Sequence, residues 1–488
     1  MTILPDALLY VDGKLRAAEG GKTYDNIGPW TGEVVGHAAD ASAADVEEAI
    51  AAARRAFDTT DWSTNHEKRF ALLKKLHALF VANSDRLADI VRHEAGASLV
   101  AVHRAQLAQC LNSWENLLEV YPKLAWDKDY GDKDTYGFTT HRKAFYEAVG
   151  VVGAITPWNF PLYINAEKVV SALLVGCTVI LKPAPDTPLA ASIFGELAAE
   201  AGFPDGVINV ITGSDPALAG ELIVTDPRVD LITFTGSTAI GKHIVRQGAE
   251  TLKRVFLELG GKSAAIVLED NANFAQIVAQ QLLVFHAGQG CAVMSRLLVP
   301  RSRYDEAKAV LKASYDAFST KWGVFDDPAS PMGPVVSKKQ RDRVKAYIDL
   351  GVEEGATLLA GGNIREDLGT GWFIEPTCFV DVTNDMRIAQ EEIFGPVLVV
   401  IPFDDEEDAI RIANDSVYGL SGAVYSDNLD RALSVAKRIR TGTISVNGGL
   451  PINGDLPFGG YKQSGIGRAW GVEGLEEYLE TKLIGWRS

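Results

Sequence analysis

Positive charge is in short supply in this 488-residue chain: 47 Lys and Arg stand against 64 Asp and Glu, a formal net charge of −17. Binding along a nucleic-acid backbone needs clustered basic side chains, so no nucleic-acid partner is expected, although a local basic pocket for a small phosphate ligand stays open. Long apolar runs are missing too. The longest, VVSALLVGCTVIL at 169–181, falls short of the ~20 residues that span a bilayer. The N-terminus, MTILPDALLYVDGK, has neither the basic start nor the apolar core of a signal peptide. The expectation is a cytosolic protein with no membrane partner. Cysteine is scarce as well: Cys110, Cys177, Cys291 and Cys378 lie far apart, with no CxxC and no Cys/His zinc spacing. Neither a disulfide framework nor a metal site is indicated.

What is present is ordinary globular material, 47% hydrophobic and 23% charged. A chain this long should form more than one domain, because single cores rarely grow past ~250–300 residues. Helical spacing of apolar residues marks 41–58, two segments within 65–96 ended by Gly96, and 104–125. The polar stretch WDKDYGDKDTYGFTTHRKAFYEAVG, with its interleaved Thr and aromatics, predicts a two-stranded excursion. From residue 149 the pattern changes. Apolar, β-rich runs (VGVVGAIT, CTVILKPA, GVINVITG, DLITFTG, RVFLELG) alternate with helical ones. Repeated βα units predict a parallel sheet covered on both faces, with ligands bound at the carboxyl ends of its strands. A second α/β region begins at SAAIVLED and runs to about residue 440, followed by a Gly/Pro-rich loop at 447–467.

Cys110, Cys177 and Cys378 read as small buried hydrophobes. Cys291, in FHAGQGCAVMSR, sits among small residues, and its surroundings alone do not separate filler from nucleophile. Four further stretches stand where strands end or loops begin. TPWNFP (156–161) places Asn159 ahead of a helix, where its amide can either cap the helix or donate to an oxyanion. FTGSTAIGK puts Gly236 and Ser237 at a strand-to-helix turn whose N–H groups can meet a pyrophosphate. LELGGK holds the carboxylate of Glu258 at a strand end, as a base or as half of an ion pair. EEIFGP carries Glu392 and Phe394 beside a Gly-Pro turn, which read alone is also consistent with a solvated corner.

Taken together, TPWNFP, KPA, FTGS, LELGGK, GQ-x-C, EEIFGP and PFGGYKQSG resemble the aldehyde dehydrogenase superfamily, in its order and at about its spacings, from about residue 8 to 486. The resemblance implies that Cys291 is the nucleophile, Glu258 the general base, Asn159 the oxyanion donor and Lys168 an aid to proton relay. It implies NAD as cofactor, with Thr156, Trp158, Lys182, Gly213, Gly236, Ser237, Glu392 and Phe394 around it. It implies a substrate tunnel formed by Phe160, Tyr163, Ile164, Glu167, Gly290, Ala292, Ile452 and Phe458, whose aromatic and aliphatic walls favour an apolar aldehyde, aromatic or medium-chain. The implied fold is α/β: a Rossmann-like cofactor domain (1–124 and 144–257), an α/β catalytic domain (258–443), and a small β oligomerisation arm with the C-terminal segment (125–143 and 444–488). The implied assembly is a homo-oligomer, dimer or tetramer, with the C-terminal strand adding an edge to a neighbour's sheet.

Two departures stand out. NAD-preferring relatives often carry an acid three residues after the KP lysine, where this chain has Pro185 followed by Asp186. Losing that carboxylate removes a repulsion against a 2′-phosphate, so NADP use is possible beside NAD. His286 stands where the family commonly has Asn and is a rival base near Cys291. Three rival functions are a CoA-acylating dehydrogenase, a non-catalytic structural member, and a thiol hydrolase. Glu258 argues against the first, and the full set Asn159, Glu258, Cys291 and Glu392 against the second. The third has no use for a cofactor cleft.

Overall fold

Strands of Val, Ile and Leu buried on both faces form the centre of the first sheet, in a computed structural model that describes residues 4–487. Its parallel core comprises Val151–Ile155, Thr178–Lys182, Ile208–Val210, Leu231–Thr235 and Arg254–Glu258. Antiparallel strands Leu9–Val11 and Gly465–Ile466 close its two sides, and Lys14–Arg16 completes the eight-stranded sheet. The strand order reverses between Val151–Ile155 and Leu231–Thr235. In a sheet of this kind, such a reversal opens a crevice at the carboxyl ends. The α/β expectation is met.

Helix Pro161–Val175 follows the first core strand and is buried along nearly its whole length. A helix buried on all sides belongs inside a larger core, and this one packs between the sheet and helices His66–Ala82 and Ala108–Val120. Proline at its first turn presets the backbone, and Gly176 at φ 103° ends it in the left-handed region.

The second sheet is seven-stranded, ordered Thr357–Ala360, Thr377–Val380, Val397–Phe403, Arg296–Pro300, Ala264–Val267, Gly422–Tyr425, Ser445–Val446. All its pairings are parallel except the first. The third sheet is an antiparallel hairpin, Asp127–Thr135 with Phe138–Ala148, joined by Leu479–Arg487.

The C-terminal strand pairs along one edge with the hairpin of its own chain, from Leu479↔Ala148 to Arg487↔Thr140. The segment 444–488 supplies a strand to each of these three sheets, and a separate two-stranded sheet pairs Thr23–Ile27 with Val34–Ala39. No helix among the described residues is long and apolar enough to cross a membrane.

Candidate active site

Two chain crossings meet at the carboxyl end of the first sheet. From below, strand Val151–Ile155 runs into the TPWN loop, Leu231–Thr235 into Gly236 and Ser237, and Arg254–Glu258 ends on Glu258 itself. From the second sheet, the loops preceding Arg296–Pro300 and Val397–Phe403 bring in Cys291 and Glu392. A cavity of about 280 Å³ lies between them, lined by Trp158, Asn159, Gly236, Ser237, Glu258, Cys291, Glu392 and Phe394. Residues as far apart in sequence as Trp158 and Phe394 thus share one space.

The loop carrying Cys291 is held in an unusual backbone shape. His286, Ala287 and Gly288 are consecutively left-handed, at φ 46°, 50° and 69°. A residue other than glycine costs roughly 1–2 kcal/mol in that region, so surrounding contacts must hold it there. Gln289 supplies them. Its Nε2 donates to His286 O at 3.1 Å, and its Oε1 accepts from Val336 N at 2.9 Å. Its main-chain oxygen accepts from Asn159 Nδ2 at 3.0 Å. A Cβ on Gly288 would lie 2.3 Å from Gly395 O, because this loop and the one bearing Glu392 are packed back to back. Gly288→Ala is therefore expected to destabilise the fold by about 1–3 kcal/mol. Thermal unfolding and activity measured together should show activity lost beyond what unfolding explains.

Cys291 is half-buried, unlike Cys110, Cys177 and Cys378, which are fully buried. Burial alone lifts Cys110 to about 12. For Cys291 burial is again the largest effect, but the carboxylates of Glu258 and Glu392 add to it, and the thiol is held well above its ordinary range. Glu258 is pushed up to about 8, first by burial and then by Glu167 and Glu392, against the pull of Lys168. Its Oε1 has no hydrogen-bond partner. A carboxyl near neutrality beside a thiol is suited to taking and returning protons.

Asn159 is not a helix cap. That position belongs to Phe160, which makes no side-chain cap, while the Asn159 amide turns to the nucleophile loop. Nδ2 carries two N–H groups, and the bond to Gln289 O uses one. Lys168 lies outside the cavity. Fully buried on helix Pro161–Val175, its Nζ donates to Thr233 Oγ1 at 3.0 Å and pairs with Glu167 Oε2 at 3.2 Å. His286 does not compete as a base. Its buried ring packs 5.3 Å from Phe160, neither nitrogen makes a well-formed hydrogen bond, and burial pulls it down to about 4.

The cofactor candidates fall into two groups. Glu392 and Phe394 face Trp158, whose ring meets Phe394 edge-on at 5.3 Å. Glu392 Oε1 accepts from Gly261 N at 2.9 Å, and burial lifts its carboxyl to about 7. The Gly236 N–H is taken by Glu258 O at 3.1 Å, so any anion at this turn meets the first-turn amides of helix Thr238–Gly248, capped by Ser237. Farther along the strand ends, Thr156 and Lys182 are buried and linked, Thr156 N donating to Lys182 O at 3.0 Å. Gly213 precedes Ser214, whose N–H donates to Asp40 at 2.8 Å.

Residues 15–484 match the model of the aldehyde dehydrogenase family. The chain is 41% identical over 482 residues to 3-succinoylsemialdehyde-pyridine dehydrogenase of a Pseudomonas species, covering 97% of both. It superposes on the crystal structure of a Mycobacterium tuberculosis aldehyde dehydrogenase complexed with NAD+ at a TM-score of 0.94 and 42% identity, covering 99% of this chain and 98% of that one. It also matches a variant of aldehyde dehydrogenase C from Pseudomonas syringae, solved with NAD+ and octanal, at a TM-score of 0.91 and 38% identity, with 98% and 96% covered. The chain belongs to the aldehyde dehydrogenase family.

In this aldehyde dehydrogenase the tunnel candidates divide by exposure. Phe160, Tyr163, Gly290, Ala292, Ile452 and Phe458 are half-buried, while Ile164 is buried. Glu167, expected to offer the tunnel a polar contact, is buried with one oxygen on Lys168. The loop bearing Ile452 is pinned to helix Ala108–Val120, Gln109 Nε2 donating to Ile452 O at 3.3 Å and Asn116 Nδ2 to Asn453 Oδ1 at 2.7 Å. Gln340 and Arg343 were not singled out from the sequence. From helix Lys338–Glu353 they line the dehydrogenase cavity and donate to Phe394 O and Glu392 O, both at 2.7 Å. Ordinary polar residues on an amphipathic helix, they carry no local signal.

Proposed function

We propose that this enzyme oxidises an apolar aldehyde, aromatic or medium-chain, to its carboxylic acid with NAD, by way of a cysteine thioester. The observation that carries the reading is the convergence of Cys291, Glu258 and Asn159 on one cavity. The Cys291 sulfur adds to the aldehyde carbon, forming a C–S bond and an alkoxide, while Glu258 takes the thiol proton. The free N–H of Asn159 Nδ2 donates to that alkoxide. Bound NAD+ supplies the hydride acceptor that turns this adduct into a thioester. Glu258 releases the thiol proton to solvent and then removes one from water, the hydroxide oxygen attacks the thioester carbon, the C–S bond breaks to release the acid, and Glu258 returns its proton to the thiolate.

The residues present suit a dinucleotide. Glu392 and Phe394 line the same cavity as Cys291, the capped helix Thr238–Gly248 offers amides to a pyrophosphate, and Lys182 ends the strand paired with Val151–Ile155. Burial lowers Lys182 to about 8, and Asp215 and Asp186 oppose the fall. Those two acids partly make up for the carboxylate that Pro185 lacks, so NAD is the preferred cofactor and NADP a second one. The Pseudomonas syringae relative's octanal supports an apolar substrate. A dimer or tetramer built on the third sheet, with the three-part division of the chain around it, belongs to the same proposal. The outer edge of Leu479–Arg487 has no partner strand among the described residues, and Leu483 on it is 67% exposed.

A panel of aromatic and straight-chain aldehydes, followed by reduced-cofactor absorbance with NAD and NADP, tests the reading. Free acid should form without CoA, and an absolute need for CoA would favour the acylating alternative. The kcat/KM with NADP is expected below that with NAD but within about a thousandfold, roughly 4 kcal/mol of discrimination.

A further inference from the structure

A second amide stands behind Asn159. Between the short helix Leu99–Ala101 and helix Ala108–Val120 the chain makes a π-type turn, Val102–Gln106, closed by Leu107 N donating to Val102 O at 2.9 Å. The wider turn holds an extra residue, and Gln106 at its end is fully buried while His103 and Arg104 face solvent. Gln106 Nε2 donates to Asn159 O at 2.6 Å across 53 residues of sequence, and its Oε1 is buried without a partner. Burying an amide with half its capacity unused is unfavourable, so the contact it does make calls for a reason.

We infer that Gln106 is a positioning residue for the oxyanion donor: it fixes the Asn159 main chain so that the free Nδ2 N–H points at the alkoxide. Asn159 is then held at two points, its carbonyl by Gln106 and its side chain by Gln289 O at 3.0 Å. Gln289 is in turn anchored to Val336 N and His286 O, so one hydrogen-bonded chain joins the π turn to the nucleophile loop. An oxyanion donor acts only when aimed within a few tenths of an ångström of the developing charge. Aldehyde binding precedes that charge and does not depend on the aim. Loss of Gln106 should therefore slow acylation and leave substrate binding alone. The inference rests on the proposed role of Asn159.

The experiment compares Gln106→Met, Asn159→Ala and the double variant by single-turnover cofactor reduction, with the aldehyde KM and the alkylation rate of Cys291 by iodoacetamide measured alongside. Asn159→Ala is expected to slow the single turnover by about 10²–10³-fold. Gln106→Met should slow it by about tenfold, with KM and alkylation changed less than about twofold, and the double variant should be no slower than Asn159→Ala. Gln106→Glu is a second test, the same shape with an O–H donor only when protonated. Its deficit against the parent should shrink as pH falls. If Asn159→Ala is slow while both Gln106 variants run at the parent rate, or if the two losses multiply in the double variant, the positioning role is wrong. If Asn159→Ala itself runs at full rate, the oxyanion reading fails and the inference with it.

Discussion

Replacing Cys291 with serine or alanine is expected to lower aldehyde oxidation by at least about 10⁴-fold while leaving NAD affinity, measured by fluorescence titration, unchanged. A serine hydroxyl is far harder to ionise than a thiol, and alanine offers nothing to acylate. The surroundings of Cys291 sharpen the expectation. With burial and two carboxylates opposing its ionisation, this thiol is not a resting thiolate that any weak base could mimic. It needs a proton acceptor at the moment of attack, and Glu258, held near 8, is placed to be one. Alkylation by iodoacetamide should accordingly be slow near neutrality and accelerate as pH rises. Undiminished turnover by either variant would leave the thioester scheme without a foundation.

Glu258→Gln should separate the two halves of the reaction. Both halves use the base, but hydrolysis depends on it wholly, so one equivalent of reduced cofactor should still form, more slowly for want of the thiol's proton acceptor, while steady turnover falls by about 10²–10⁴-fold. The parent's steady rate should climb as pH rises through about 8, because the base works only when deprotonated, and the variant should lose that limb. Removing the charge also removes a repulsion on Cys291, so alkylation at fixed pH should quicken in the same variant. The stability effect has a definite sign. Burial raises Glu258 from 4.5 to about 8, so the folded state keeps a proton that the unfolded chain gives up between those values. Unfolding then releases that proton, and stability falls as pH rises across the window. Thermal midpoints of parent and variant should move apart between about pH 5 and 8, with the variant gaining.

The parts of this site legible in the sequence were those whose chemistry is concentrated in a few adjacent residues. TPWNFP, LELGGK, GQ-x-C and EEIFGP each bring a reactive group and its turn within one short stretch, and the cavity gathers all of them. The alternating strands and helices from 149 onward were readable for the same reason, since parallel strands buried throughout are mostly apolar and β-branched. What escaped were relationships between distant residues. Nothing near Gln340 or Arg343 indicates that their partners are the carbonyls of Phe394 and Glu392. Glu167 looks like a tunnel residue by its position, yet its neighbour Lys168 is buried with it and one carboxylate oxygen turns that way. The strands at 9–11 and 14–16 are too short to show alternation, and they exist because the sheet provides an edge for them. The C-terminal strand was recognised as a strand, but which hairpin it joins is decided by register over nine residue pairs and not by composition.

The seam where Gly288 presses on the carbonyl of Gly395 bears on how this catalyst could change over time or in the hand of an engineer. Because there is no slack between these backbones, retuning dinucleotide preference by reshaping the EEIFGP turn also displaces the reactive sulfur. Successful variants should arrive as paired substitutions, one on each side of that contact.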